Sequence, residues 1–285
     1  MFHLTIIQII FLSLLQGITE LFPISSLGHT VLLPALFHWG DLIRNEKFLP
    51  LIVALHLGTS IALLFFFWKD WAKVIQALMG SIRDGEIKKD SEGWIGWLIL
   101  VGCLPAGLLG VFLESPIKKL FATPIIVSVF LIVNGFILFW GERLRRKGKI
   151  NTQIKFRSIQ SLSLKEALFI GSAQAFALIP GISRSGTAMV AGLSRQLSHE
   201  DAARYSFLLG TPIITGAALL EVPLLIGQPV QTTLLIVFGM ILSGLAAFAS
   251  TKFLLKYFET QNLLPFAFYC WGIGLLSLLV FLLIK

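Results

Sequence analysis

Apolar residues are gathered along this chain into long runs parted by short polar stretches. Six runs, roughly 49–68, 94–113, 124–141, 203–225, 233–251 and 264–284, approach the ~20 apolar residues a helix needs to cross a bilayer. Two more, about 4–37 and 166–192, are each interrupted near the middle by Pro, Gly and Ser. Irregular backbone at membrane depth is tolerated only where protein buries it or it lines a wet cavity, so each broken run is predicted to be a re-entrant helical hairpin. The helix-compatible composition of the runs argues against a β-barrel. The expected fold is an all-α polytopic membrane protein. The opening stretch, MFHLTIIQIIFLSLLQG, lacks a basic region and a small-residue cleavage site and is expected to stay in the folded chain.

Composition agrees with this pattern: 56% of the 285 residues are hydrophobic and 13% charged. The net charge of +8 adds orientation rather than a nucleic-acid partner, because the basic residues sit between the apolar runs. Lys69, Lys73, Arg83, Lys88 and Lys89 fall in one loop. Arg143, Arg145, Arg146, Lys147, Lys149, Lys155, Arg157 and Lys165 fall in another. With both broken runs re-entrant, Arg195, Arg204, Lys252 and Lys256 join that side, and Arg44, Lys47, Lys118, Lys119 and Lys285 take the other. The positive-inside rule then puts the 69–92 and 142–166 loops in the cytoplasm and both termini outside. The run RLRRKGK at 143–149 reads as a membrane anchor. Cys103 and Cys270 lie in apolar runs with no metal-type spacing and imply neither a disulfide framework nor a zinc site.

Each half thus holds one hairpin and three spans, and an odd number of spans inverts the second half. A matching repeat is visible: Gln16 and Gln174, Ser25 and Ser183, and Gly28 and Gly186 are each 158 apart. LGTS at 57–60 echoes LGTP at 209–212, offset by 152. The chain is expected to be one membrane domain over 1–285, with repeat one about 1–141, a basic loop about 142–165 and repeat two about 166–285. The two hairpin tips, residues 20–30 and 180–187, should then meet near the midplane.

The polar residues at those tips are chemically specific. Glu20 shares a helix face with Gln16, and Pro23 ends that helix before Ser25 and Ser26. A carboxylate near the bilayer centre costs about 2.5–3.5 kcal/mol and needs a partner or a function. Arg184 supplies the counter-charge, with a planar fork that suits phosphate as well as carboxylate. Ser183, Ser185 and Thr187 add hydroxyls, Gly28 and Gly186 admit close backbone approach, and His29 adds an imidazole. Helices restarting after the breaks would aim N–H groups into a shared cavity, which makes it an anion site. Blander readings exist: Glu20 and Arg184 as a structural ion pair, and the serines, threonine and glycines as helix packing. His56 either lines the same cavity or packs between helices. His3, His38 and His199 are expected on the surface, Asn134 and Glu221 in helix–helix hydrogen bonds, and Glu114, Glu142 and Glu166 solvated at span ends.

QGITELFPISSLGH and PGISRSGT resemble the two signature motifs of the bacterial undecaprenyl-diphosphate phosphatases, also called bacitracin-resistance proteins. AARYSFLLGTP and the chain length extend the likeness over essentially the whole sequence. Many members carry Glu where this chain has Gln16; glutamine also occurs, and Glu20 is left as the principal acid. The resemblance implies hydrolysis of undecaprenyl diphosphate to the monophosphate and inorganic phosphate, at a site opening to the extracytoplasmic face of the bacterial cytoplasmic membrane. That reaction recycles the lipid carrier for peptidoglycan synthesis and confers bacitracin resistance. It implies a divalent cation, Mg²⁺ or Ca²⁺, with Glu20 as ligand or base.

On that reading Glu20, Ser26, His29 and Arg184 are catalytic, while Gln16, Ser25, Gly28, Ser183, Ser185, Gly186 and Thr187 bind substrate. The nucleophile is Ser26, activated by His29 or Glu20, or a metal-bound water. Partners are the polyprenyl diphosphate and membrane lipids, a homodimer is allowed, and nucleic acid is not expected. The same architecture also suits a transporter or flippase of undecaprenyl phosphate. The acid-phosphatase-like lipid phosphatases fit poorly, because the next histidine after Arg184 is His199.

Overall fold

The computed structural model describes residues 4–89, 91–112, 123–151 and 156–283, with side chains from 145 to 151 excepted. His3, Glu114, Lys118, Lys119, Lys155 and Lys285, and the side chains of Arg145, Arg146, Lys147 and Lys149, lie outside that description. Among the described residues six helices are long and apolar enough to cross a membrane, as the runs predict. They are α4 (Phe48–Phe66), α6 (Glu92–Phe112), α7 (Pro124–Asn151), α10 (His199–Glu221), α11 (Val230–Thr260) and α12 (Leu264–Leu283). The chain is a multi-pass membrane protein.

The two broken runs form short helix pairs. The first gives α1 (Ile6–Thr19) and α2 (Ser26–Leu36), followed by the short α3 (Gly40–Arg44), and the second gives α8 (Leu164–Ala175) and α9 (Arg184–Ser194). At 1.5 Å per residue the 14 residues of α1 rise about 21 Å, short of the ~30 Å hydrocarbon thickness. The starts of α1 and α8 are matched in detail. Thr5 with Gln8 and Ser163 with Glu166 each form a capping box, again 158 positions apart. α1 stops before Pro23, which has no N–H to continue it, and α8 gives way to a 3₁₀ turn at Phe176–Leu178 ahead of Pro180.

Each hairpin packs on a span of the other half: α1 lies along α11, and α8 along α6. Glycine makes both seams possible. A Cβ at Gly17 would strike the Ser243 backbone of α11, and one at Gly171 would strike the Gly102 backbone of α6. α4 closes against α10 and α11, while α7 pairs with α12 and touches α2 and α9.

Expectations about the ends of the spans need correction. The 69–92 segment is not simply a basic loop: α5 (Trp68–Asp84) buries Val74 and packs on α6, where Gly93 and Gly96 receive Ala77 and Leu78. α7 and α11 run on to Asn151 and Thr260, beyond the apolar runs, because nothing in the charged ends breaks a helix. Phe258 of the α11 extension stacks on His199, expected at the surface, and Glu142, expected in solvent, begins the α7 extension. Both are buried, with His199 Nε2 2.7 Å from Glu142 Oε2. Glu166 is tied by the Arg157 fork at 2.7 and 3.2 Å as well as capping α8.

Candidate active site

The two breaks meet in a buried polar knot. Ser25 and Ser183, matched in the repeat, do the same job. Each is the N-cap of the helix that restarts, accepting from Gly28 N and Gly186 N at 3.1 Å. Ser25 takes a left-handed backbone (φ 69°), and its Oγ also accepts from Gly181 N at 3.2 Å, joining one tip to the other. Gly181 has φ 106° and lies against the α7 backbone at Val127, which leaves no room for a side chain. Ser185 Oγ donates to Phe22 O at 3.2 Å, and Asn134 of α7 holds both tips at once. Its Nδ2 donates to Pro23 O and its Oδ1 accepts from Ser183 N, each at 2.9 Å.

Caps fix the register of the helices they start. The first residue of α2 is Ser26 and the first of α9 is Arg184, and both reach Glu20 at the end of α1. Ser26 Oγ donates to Glu20 Oε2 at 2.5 Å, and Arg184 Nη2 donates to Oε1 at 3.1 Å. Gln16 Nε2 also donates to Oε2, at 3.0 Å. Arg184 Nη1 is held by Ser206 O at 3.1 Å, and Gly210 makes room, since a methyl there would occupy the guanidinium's place. Among the described residues, Arg184 Nε and Gln16 Oε1 at this cluster are buried and have no partner.

The sequence motif also contains residues that the fold takes elsewhere. His29 is fully buried, its Nδ1 2.7 Å from Ser25 O and its Nε2 3.0 Å from Tyr269 Oη. A carbonyl only accepts, so Nδ1 carries the hydrogen and Nε2 accepts from the phenol; both nitrogens are engaged away from Glu20. Thr187, the repeat partner of His29, likewise bonds back to Ser183 O at 2.9 Å. Gly28 packs on Gly181, and Gly186 on Leu138 and Pro23. The histidine that does reach the carboxylate is His56 of α4, with Nε2 3.1 Å from Glu20 Oε2. Glu20, Ser26, His56, Ser183 and Arg184 line a cavity of about 160 Å³ whose remaining wall includes Leu27, Leu49, Val53, Leu178, Ile213 and Ile214. A charged floor under an apolar wall suits an amphiphile with an anionic head.

The family model described as "Bacitracin resistance protein BacA" matches residues 9–276. The chain belongs to the BacA family. Among curated members, "Undecaprenyl-diphosphatase 2" of Chromobacterium violaceum is 44% identical over 279 residues, covering 96% of this chain and 98% of its own. "Undecaprenyl-diphosphatase" of Acidiphilium cryptum is 44% identical over 277 residues (94% and 95%). "Undecaprenyl-diphosphatase 2" of Burkholderia thailandensis is 45% identical over 271 (95% of each).

Within this BacA chain the tips bring together Gln16, Glu20, Ser26 and Arg184, and the two capping serines sit at their edge. Sequence reasoning missed Tyr269 and Ser206, left His56 undecided, and gave Asn134 a helix–helix hydrogen bond without placing it at the tips. The one available signal for Asn134 was an amide alone in an apolar run, and for His56 its place beside the repeated LGT.

Proposed function

We propose that this protein hydrolyses undecaprenyl diphosphate to undecaprenyl phosphate and inorganic phosphate. The observation that carries the reading is the Ser26 hydroxyl donating at 2.5 Å to a carboxylate whose other oxygen holds an arginine with an unpartnered buried Nε–H. The names of the relatives point to the same substrate. Arg184 meets the diphosphate oxygens with its free N–H groups, and the apolar wall takes the start of the prenyl chain. Ser26 Oγ attacks the terminal phosphorus while Glu20 takes the hydroxyl proton. The P–O bond to the bridging oxygen breaks, and undecaprenyl phosphate leaves with the bond's electron pair. Glu20 gives that proton to the leaving phosphate, takes another from the water that cleaves the phosphoserine, and returns it to Ser26 Oγ as inorganic phosphate is released.

The cluster suits a hard divalent cation, Mg²⁺ or Ca²⁺. Glu20 offers a carboxylate and Gln16 Oε1 an amide oxygen without a partner, and Mg²⁺ commonly completes its shell with water and substrate phosphate. Bound there, the ion would neutralise charge on the diphosphate. Among the described residues no three His, Cys, Asp or Glu converge as a metal cage.

The matched caps, the reciprocal seams of α1 with α11 and α8 with α6, and the charge bias support an inverted repeat. On that orientation the chain lies in the bacterial cytoplasmic membrane with its site opening to the extracytoplasmic face.

Purified protein in detergent with Mg²⁺ or Ca²⁺ and polyprenyl diphosphate should release phosphate, and Glu20→Ala should abolish release at normal folded yield. A brief incubation with terminally labelled substrate, quenched by denaturant, should leave label on Ser26. Release without such label points to attack by water. Lipid flux through vesicles without phosphate release points to a flippase.

A further inference from the structure

We infer that His56 is a positioning residue for Glu20. The inference rests on the phosphatase reading and extends it to a third element, α4, which belongs to neither hairpin. His56 Nδ1 lies 2.7 Å from Ile52 O one turn back, which requires a hydrogen on Nδ1 and fixes the ring plane. Nε2 then faces Glu20 Oε2 at 3.1 Å, a carboxylate oxygen that only accepts, so both ring nitrogens carry hydrogen and the ring is an imidazolium; the two side chains are 11% and 6% exposed. A histidine that only filled space between helices would not spend its second nitrogen on the carboxylate at the centre of the site.

The division of donors on Glu20 shows what this contact accomplishes. Oε2 accepts from Gln16 and Ser26 and pairs with His56 Nε2, while among the described residues Oε1 accepts from Arg184 alone. Gln16 stands four residues earlier on the same helix and moves with Glu20; Ser26 must change partners during the reaction. His56 is the donor on Oε2 that stands on a different helix and is outside the chemistry. α4 is seated against α10 and α11, so it is a fixed reference. Without it, the carboxylate is free to turn both oxygens to the Arg184 fork, since carboxylate and guanidinium pair bidentately. That pose takes N–H groups from the diphosphate and lifts Oε2 away from Ser26. The contact therefore acts on the reacting geometry more than on substrate capture.

The test compares His56→Leu, His56→Met and His56→Gln with wild type as purified detergent-solubilised protein, with folded monomer quantified by gel filtration. Phosphate release is followed against polyprenyl diphosphate concentration. Loss of the donor in His56→Leu and His56→Met should lower kcat about 10²-fold with KM within about threefold, the pattern of misplaced reacting groups. His56→Gln should recover kcat to within about fivefold of wild type, because its amide can donate to the same oxygen. A leucine or methionine variant with wild-type kcat overturns the inference, and so does a folded glutamine variant as slow as leucine. The methionine variant serves if leucine fails to fold. A wild type that releases no phosphate overturns the phosphatase reading itself, and the inference with it; an active wild type beside fully active His56 variants overturns the inference alone.

Discussion

Glu20 and Arg184 are a buried pair whose charges are worth more together than apart. Taking either ion out of water costs several kcal/mol, and removing one partner strands the other. Arg184→Met should therefore destabilise the detergent-solubilised protein by about 3–5 kcal/mol. The double variant Glu20→Gln, Arg184→Met should recover much of that loss; a double variant as unstable as the sum of the singles would mean that the pair contributes independently. Arg184→Lys keeps the charge but not the fork. It should fold and lose roughly 10²-fold in kcat/KM, about 2.7 kcal/mol of transition-state binding, read from initial rates. At this scale the motif was legible in part. Glu20, Ser26 and Arg184 converge as their chemistry requires, whereas His29, equally prominent in the motif, hydrogen-bonds to Ser25 O and Tyr269.

The hairpin tips are held by backbone hydrogen bonds that only capping residues provide. Ser25→Ala and Ser183→Ala should each cost about 1 kcal/mol from lost N-caps. They should also slow turnover, because Ser26 and Arg184 are the first residues of the helices they start. Melting curves and phosphate release on the same preparations check both effects; unchanged turnover in both variants would show that the caps do not set the site. Asn134→Leu should slow the reaction further, because Pro23 O and Ser183 N then lose the amide that holds both tips. The breaks themselves could be read from Pro, Gly and Ser. The helical extensions of α7 and α11 and the amphipathic α5 could not, because charged ends show only that the chain leaves the hydrocarbon, not that it stops being helical.

For the molecule as a whole, the proposed topology puts Glu46 and Glu86 on opposite sides of the membrane, and both side chains are exposed, at 86% and 65%. In intact cells a membrane-impermeant maleimide should label Glu46→Cys and leave Glu86→Cys unlabelled until the membrane is opened. The reverse pattern would invert the molecule and turn the site toward the cytoplasm. The native cysteines give little background, Cys270 being buried and Cys103 half-buried.

Run length, the two interruptions and the 158-residue offset were enough, from sequence alone, to determine an all-α membrane chain with two broken segments and to single out an acid, a hydroxyl and an arginine that the fold brings together. These are local or periodic properties, set by the cost of exposing backbone and charge to hydrocarbon. Which histidine serves Glu20, which amide ties the tips and which serines are caps depended on the packing of α4, α7 and α12 against the hairpins. Those helices lie far from the tips along the chain, and their distance and direction come only from the tertiary fold. The structure places His56, and not His29, within reach of Glu20.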